Sequence, residues 1–192
     1  GLHLGLNALL PNDIRILSVE ISDEKFSPRK DALCKEYNYL FYNDENTSST
    51  FPSSFPFFFH QDLISHYPYK NFNLPKMIEA AKCFEGKHSF KNFYCKGSDV
   101  KTFDREIYCC ELLPFDFSNT FFTLNNCFLL KVVGNGFLKQ MVRLMVGSIW
   151  NIGNEKINIS DLKAALNGEV EEHIRLGKVA PPEGLYLKKI NY

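Results

Sequence analysis

The sequence has no excess of charge of either sign, with 22 Lys and Arg against 22 Asp and Glu in 192 residues. A global basic field that would mark a nucleic-acid binder is therefore missing, and any site for a polyanion has to come from local clustering. It also lacks an apolar run long enough to cross a bilayer and an N-terminal signal, so no membrane association is expected. The six cysteines, at positions 34, 83, 95, 109, 110 and 127, form no Cys-x-x-Cys pair and no Cys/His spacing suited to zinc. They read as reduced thiols of a cytoplasmic protein, and no metal site is expected. The five histidines are scattered and give no ligand motif, and there is no internal repeat. What remains is 45% hydrophobic and 23% charged, a globular composition long enough for one good core or one domain with an appendage.

Strand signals fall at Ile14 to Glu20, at the aromatic run Tyr37 to Tyr42, at 104–113, at 120–133 after a turn from Pro114 to Asn119, and at Gly184 to Ile190. A helix is signalled from about Asn73 to Phe84, with Asn73 as cap, Pro75 in the first turn and Gly86 as the stop. Another, capped by Ser160 or Asn158, runs to about Asn167 and stops at Gly168. Residues 43–56 are polar and rich in Pro and Ser, and with Phe57 to Phe59 they read as a loop insertion over 43–59. The Phe triplet is either a short buried strand or an aromatic anchor for that loop. Residues 1–10 have the apolar spacing of the last turns of a helix without a capping residue before them, so the chain is expected to begin within an element. Strands followed by helices without regular alternation predict an α+β fold, a mainly antiparallel, mixed sheet with helices packed on one face.

One residue stands out. Arg143 lies in an almost wholly apolar run, GNGFLKQMVRLMVGSIW, over residues 134–150. At helical spacing Phe137, Leu138, Met141, Val142, Leu144, Met145 and Ile149 cover most of the circumference. They leave Lys139, Gln140, Arg143 and Gly147 as a narrow polar stripe. A guanidinium stays ionised at any accessible pH, so one held there needs water, a carboxylate or a phosphate. The stripe is either the wet edge of a core helix, with its stems along apolar neighbours, or part of a site. Gly134, Gly136 and Gly147 beside it would let another backbone or a ligand approach.

Four ordered segments resemble the tRNA pseudouridine synthase A family. GLNALLPNDIRIL (5–17) resembles its helix-to-strand opening, and FSPRKDALCKEYNY (26–39) its F-H-A-R-F and Y-x-Y stretch. GNGFLKQMVRLMVG (134–147) resembles N-G-F-x-x-x-M-V-R-x-x-V-G, and APPEGLYLKKINY (180–192) the closing A-P-P-x-G-L-Y-L. The order and span point to a pseudouridine synthase-like fold, with residues 1–192 as its C-terminal catalytic and RNA-binding domain.

The resemblance implies roles. In the family an aspartate in a G-R-T-D-x-G-V-H motif attacks the target uridine, and the base is detached, turned and reattached through carbon without cofactor or metal. The matching positions make Tyr37 the aromatic that stacks on the extruded uracil and Arg143 the partner of that aspartate, kept ionised and aimed by opposite charge. Arg29 and Lys139 are expected to bind tRNA phosphates. Anticodon stem-loop positions 38 to 40 of tRNA are the implied target, and a homodimer the implied assembly.

Departures from the family are Ser27 for its histidine, Lys30 for an aromatic, and the pair Lys139-Gln140. Arg175 is the nearest counterpart of its late Asp-Arg. No R-T-D occurs in residues 1–192, and Asp31, Asp99 and Asp104 fall at non-catalytic positions, on solvated loops and turns. The 192 residues alone are therefore expected to be inactive, with Arg143 facing an open cleft and paired with water, an ion or a substitute carboxylate. On spacing alone Tyr37 could be a packed strand residue, and Arg29 with Lys30 and Lys35 a solvated face. The alternative function is a non-catalytic RNA-binding module that lost the nucleophile.

Overall fold

The computed structural model describes residues 1–43, 62–97, 100–116 and 126–192. Nearly all of the expected 43–59 insertion, with Phe57 to Phe59, lies outside them, as do Asp99 and the first part of the 120–133 strand. The chain divides into two units, Gly1–Asp31 and Ala32–Tyr192.

In the first unit a single helix, α1 (Leu2–Leu9), is followed by extended chain. The expected strand at Ile14 to Glu20 does not form. Asn7 takes both backbone groups of Ile16: its Nδ2 donates to the Ile16 carbonyl at 2.9 Å and its Oδ1 accepts from the Ile16 N–H at 2.9 Å. Strand propensity is realised only against a neighbouring strand, and no described strand lies within this unit. Leu17 and Ile21 are accordingly exposed.

The second unit contains β1 (Cys34–Tyr42), β2 (Ser65–His66), α2 (Leu74–Cys83), β3 (Gly86–Ser89), β4 (Asp104–Phe115), β5 (Cys127–Gly134), α3 (Met141–Gly153), α4 (Ile159–Leu166) and β6 (Leu185–Asn191). The sheet runs β2-β1-β5-β4-β3, with β6 also on β1. β1 is the hub. One edge pairs antiparallel with β5 from Lys35 to Tyr42. The other edge is shared, antiparallel with β6 over Cys34–Tyr39 and parallel with β2 at Phe41 and Tyr42. All other pairings are antiparallel, which gives the expected α+β fold with a mixed, mainly antiparallel sheet. Asp104, read as a solvated turn residue, is exposed but opens β4 opposite Ser89.

The period-2 alternation of strands sorts the residues. Tyr39 and Phe41 of β1, Leu130 and Val132 of β5, and Cys110 and Leu112 of β4, with Ile107 beyond a register shift at Ile107/Cys109, share one core with Met77 of α2, with Phe84 just after it, and with Met145 and Ile149 of α3. Leu40 and Tyr42 belong to a smaller cluster with Ile64 and Cys127. The helices thus cover the face that carries Tyr39 and Phe41.

Local chemistry sets the helix ends. Asn73 caps α2 by accepting from the Lys76 N–H at 3.2 Å, Pro75 occupies the first turn, and Gly86 at φ 106° turns the chain into β3. The Asp161 carboxylate accepts from the Asn158 N–H at 2.8 Å, so Asn158 rather than Ser160 begins α4. α3 departs most from expectation. The run from residue 134 is not helical until Met141, and Gln140, just ahead of it, is left-handed at φ 64°. Lys139 and Gln140 therefore stand in a turn rather than on the helical stripe. Within α3 only Arg143 and Asn151 escape full burial.

Candidate active site

The site starts from a close approach of two backbones. A Cβ on Gly147 would lie 1.9 Å from the Lys178 carbonyl oxygen, and one on Gly177 would lie 2.2 Å from the Gly147 carbonyl carbon. Only glycine at both places lets the 177–180 segment lie along α3. Ala180 then meets Arg143 twice: its N–H donates to the Arg143 carbonyl at 3.1 Å, and its carbonyl accepts from Arg143 Nε.

The next residues are fastened to the sheet. Tyr39 Oη lies 2.8 Å from both the Pro181 carbonyl and Ser65 Oγ, and Ser65 Oγ accepts from the Gly184 N–H at 3.1 Å. A carbonyl can only accept, so the phenol proton goes to Pro181, and the Ser65 hydroxyl donates to Tyr39. Burial pushes the Tyr39 phenol well above its ordinary value, opposed by the Ser65 hydrogen bond and the charge of Arg143. Tyr39 is fully buried and neutral.

Arg143 is half-buried, and its Nη1 donates to Gln140 Oε1 at 2.7 Å. It lines a cleft of about 420 Å³ together with Tyr37, Phe137, Lys139, Pro182 and Leu185. Tyr37 reaches that cleft from β1 beside a register shift against β6 at Glu36/Tyr37, the kind of irregularity that re-aims a side chain. Its ring packs edge-on against Phe137, with centroids 5.0 Å apart. Lys139 is exposed. Its carbonyl accepts from the Cys95 N–H at 3.0 Å, and its ammonium lies beside Gly97. Arg29 is an exposed side chain of the Gly1–Asp31 unit.

Three expected site residues, Arg143, Tyr37 and Lys139, thus line one cleft. The partners of Arg143 differ from expectation: they are a backbone carbonyl and an amide oxygen, both neutral. Among the described residues no carboxylate comes within ion-pair distance of it. Two of its five N–H groups are committed, and the others remain for a bidentate anion. The chemistry such a cleft offers is a fixed cation beside a flat aromatic wall, in a volume suited to a small planar group.

Sequence reasoning gave Ala180 and Pro182 no part in the site, placing them only in the closing segment that resembles the family. The available signal was the Pro181-Pro182 pair, which holds the chain extended and removes two N–H groups, so that nearby carbonyls need donors from elsewhere. Arg175 donates to the Asn92 carbonyl at 3.1 Å and lies over the Tyr94 ring, and it is not a cleft residue. Among the described residues no group of three His, Cys, Asp or Glu could hold a metal ion, and no helix is long and apolar enough to cross a membrane.

Comparison with known proteins gives a consistent match. The family profile for tRNA pseudouridine synthase matches residues 80–192. The tRNA pseudouridine synthase A of Syntrophomonas wolfei is 34% identical over 187 residues, which cover 97% of this chain and 67% of that protein. The protein of the same name from Bacillus subtilis is 33% identical and that from a Geobacillus species 35% identical, each over 97% of this chain and 67% of the relative.

Proposed function

Because the chain belongs to the tRNA pseudouridine synthase family, we propose that it isomerises uridine to pseudouridine in tRNA through the cleft lined by Arg143 and Tyr37. The observation that carries this reading is a guanidinium braced by two neutral oxygens, with donors left over and no described carboxylate of its own. An enzyme that uses a carboxylate nucleophile needs such a cation, because opposite charge keeps the nucleophile ionised and a two-pronged hydrogen bond aims it.

In this reading the target nucleotide is flipped out of its stack, and Tyr37 replaces the lost stacking. The aspartate, supplied by sequence other than these 192 residues, attacks the nucleoside. The glycosidic C–N bond breaks, the base turns, and a bond from uracil C5 to ribose C1′ forms as the aspartate is released, C5 giving up its proton and N1 taking one. Reactant and product are isomers, so no cofactor is consumed. Lys139 and Arg29 hold tRNA phosphates, uridines 38 to 40 of the anticodon stem-loop are the targets, and the working protein is a cytoplasmic homodimer.

The test is pseudouridine formation on tRNA transcripts by the full-length protein. Arg143→Ala and Tyr37→Leu should abolish or severely slow it. Arg143→Lys should fail as well, since an ammonium cannot reproduce the planar fork. Normal turnover by Arg143→Ala would refute the assignment. Salt-sensitive tRNA binding without any turnover by the wild type would favour the binding-module alternative instead.

A further inference from the structure

Gln140 occupies the N-cap position of α3, where a polar side chain ordinarily accepts from the first free N–H groups of the helix. It makes no such cap. Its amide oxygen goes instead to Arg143 Nη1, at 2.7 Å. Its backbone is held at φ 64°, a left-handed conformation unfavourable for a residue with a Cβ. Neighbours on both sides fix that turn: the Cys95 N–H donates to the Lys139 carbonyl at 3.0 Å, and the Leu144 N–H to the Gln140 carbonyl at 3.0 Å.

The geometry of the arginine explains what this arrangement does. The bond from Nε to the Ala180 carbonyl alone would leave the guanidinium free to rock about that axis. A second bond, from Nη1 to Gln140, fixes its plane and points the remaining donors. We propose that Gln140 is a positioning residue that sets the plane of Arg143, and that it is neutral so that the full charge of Arg143 stays available to the reacting carboxylate. This rests on the function proposed above.

The neutrality is the informative part. Glutamate has the same reach, would pair with Arg143 through a charge-assisted bond, and would suit the positive end of the α3 dipole. Fold stability therefore favours glutamate at this position, yet the sequence has glutamine. A carboxylate here would occupy the cation that the nucleophile needs.

The experiment compares the full-length wild type with Gln140→Met, Gln140→Glu and Arg143→Ala, reading kcat, KM and Tm on an anticodon stem-loop transcript. Gln140→Met, which keeps the length but removes the acceptor, should lose on the order of tenfold or more in kcat with KM within about twofold. Gln140→Glu should lose at least as much kcat while its Tm equals or exceeds that of the wild type. Wild-type kcat in either glutamine variant overturns the proposal, as does a loss that follows a lowered Tm and a raised KM in both. If Arg143→Ala stays active, the reading of the whole site fails. If it is inactive while Gln140→Met is unimpaired, only the positioning role fails.

Discussion

Gly147→Ala is a sharp test of how the cleft is built, because two effects of known sign oppose each other. Alanine in a helix interior is better than glycine by about 1 kcal/mol. Its methyl group, however, would stand 1.9 Å from the Lys178 carbonyl oxygen and 3.0 Å from its carbon, well inside the roughly 3.5 Å at which non-bonded atoms attract. Both atoms are backbone, so no rotamer change relieves the clash and the 177–180 segment has to move outward. Overpacking of this kind costs about 1–3 kcal/mol, and losing the bond from Arg143 to Ala180 adds about 1.5–3 kcal/mol for a charged donor. The balance is a net destabilisation of about 1.5–5 kcal/mol, or roughly 3 to 20 °C in Tm for a chain of this size. Gly136→Ala is the control, since its new methyl would find its nearest neighbours at 3.7 and 3.8 Å, on the Arg105 side chain. Urea denaturation and pseudouridine formation are measured on both variants of the full-length protein. If Gly147→Ala were as stable as the wild type and fully active, the brace from Ala180 to Arg143 would have no place in the mechanism.

Tyr39→Phe should destabilise by about 1–3 kcal/mol, because it leaves the Pro181 carbonyl and Ser65 Oγ without their buried partner. Tyr37→Phe, whose hydroxyl has no described hydrogen bond, should change urea stability by less than about 0.5 kcal/mol; equal losses at both tyrosines would contradict the assignment. Lys82 sits 3.0 Å from both Glu85 and Glu111, and its hydrogen bond holds the Glu111 carboxyl below the ordinary range. A depressed folded pKa adds stability above the unfolded value and loses it as pH falls through the folded one. The urea midpoint of Lys82→Met should therefore lie below wild type near pH 7 and converge with it below about pH 4; a gap that persisted in acid would count against the pairing. Asn73→Ala should cost about 1 kcal/mol through loss of the α2 cap, read as a shift in thermal midpoint. Lys139→Ala should lower the salt dependence of tRNA binding by about one phosphate contact, and an unchanged slope would remove Lys139 from the interface.

Where a residue's job is local, it was readable. Asn73, Pro75 and Gly86 mark α2 because caps and turns are decided within a few residues, and the aromatic richness of the Tyr37 to Tyr42 run marked β1 because such side chains suit a packed strand. The failures have a common cause in partners far along the chain. Ile14 to Glu20 has strand composition, but Asn7 occupies the backbone of Ile16. The apolar period from Phe137 continues into α3 without a break, and nothing in it announces that Gln140 turns left-handed. The cleft itself was legible in Arg143 and Tyr37, through their setting and their resemblance to a family. What braces Arg143 was not, because a carbonyl such as that of Ala180 has no letter of its own.

The shared edge of β1 also bears on the timing of synthesis. The strand that carries Tyr37 is made well before β6, for which its Cys34–Tyr39 edge waits, and Asn191 closes on Cys34 across 157 residues. Until the ribosome has delivered that stretch, the nascent chain exposes an unsatisfied strand edge, open to pairing with other chains. Pairings this remote in sequence form slowly. The cleft is thus completed only when residues 180–191 have been made, and a ribosome stalled before residue 180 would leave Tyr37 without its β6 neighbour and Arg143 held by Gln140 alone.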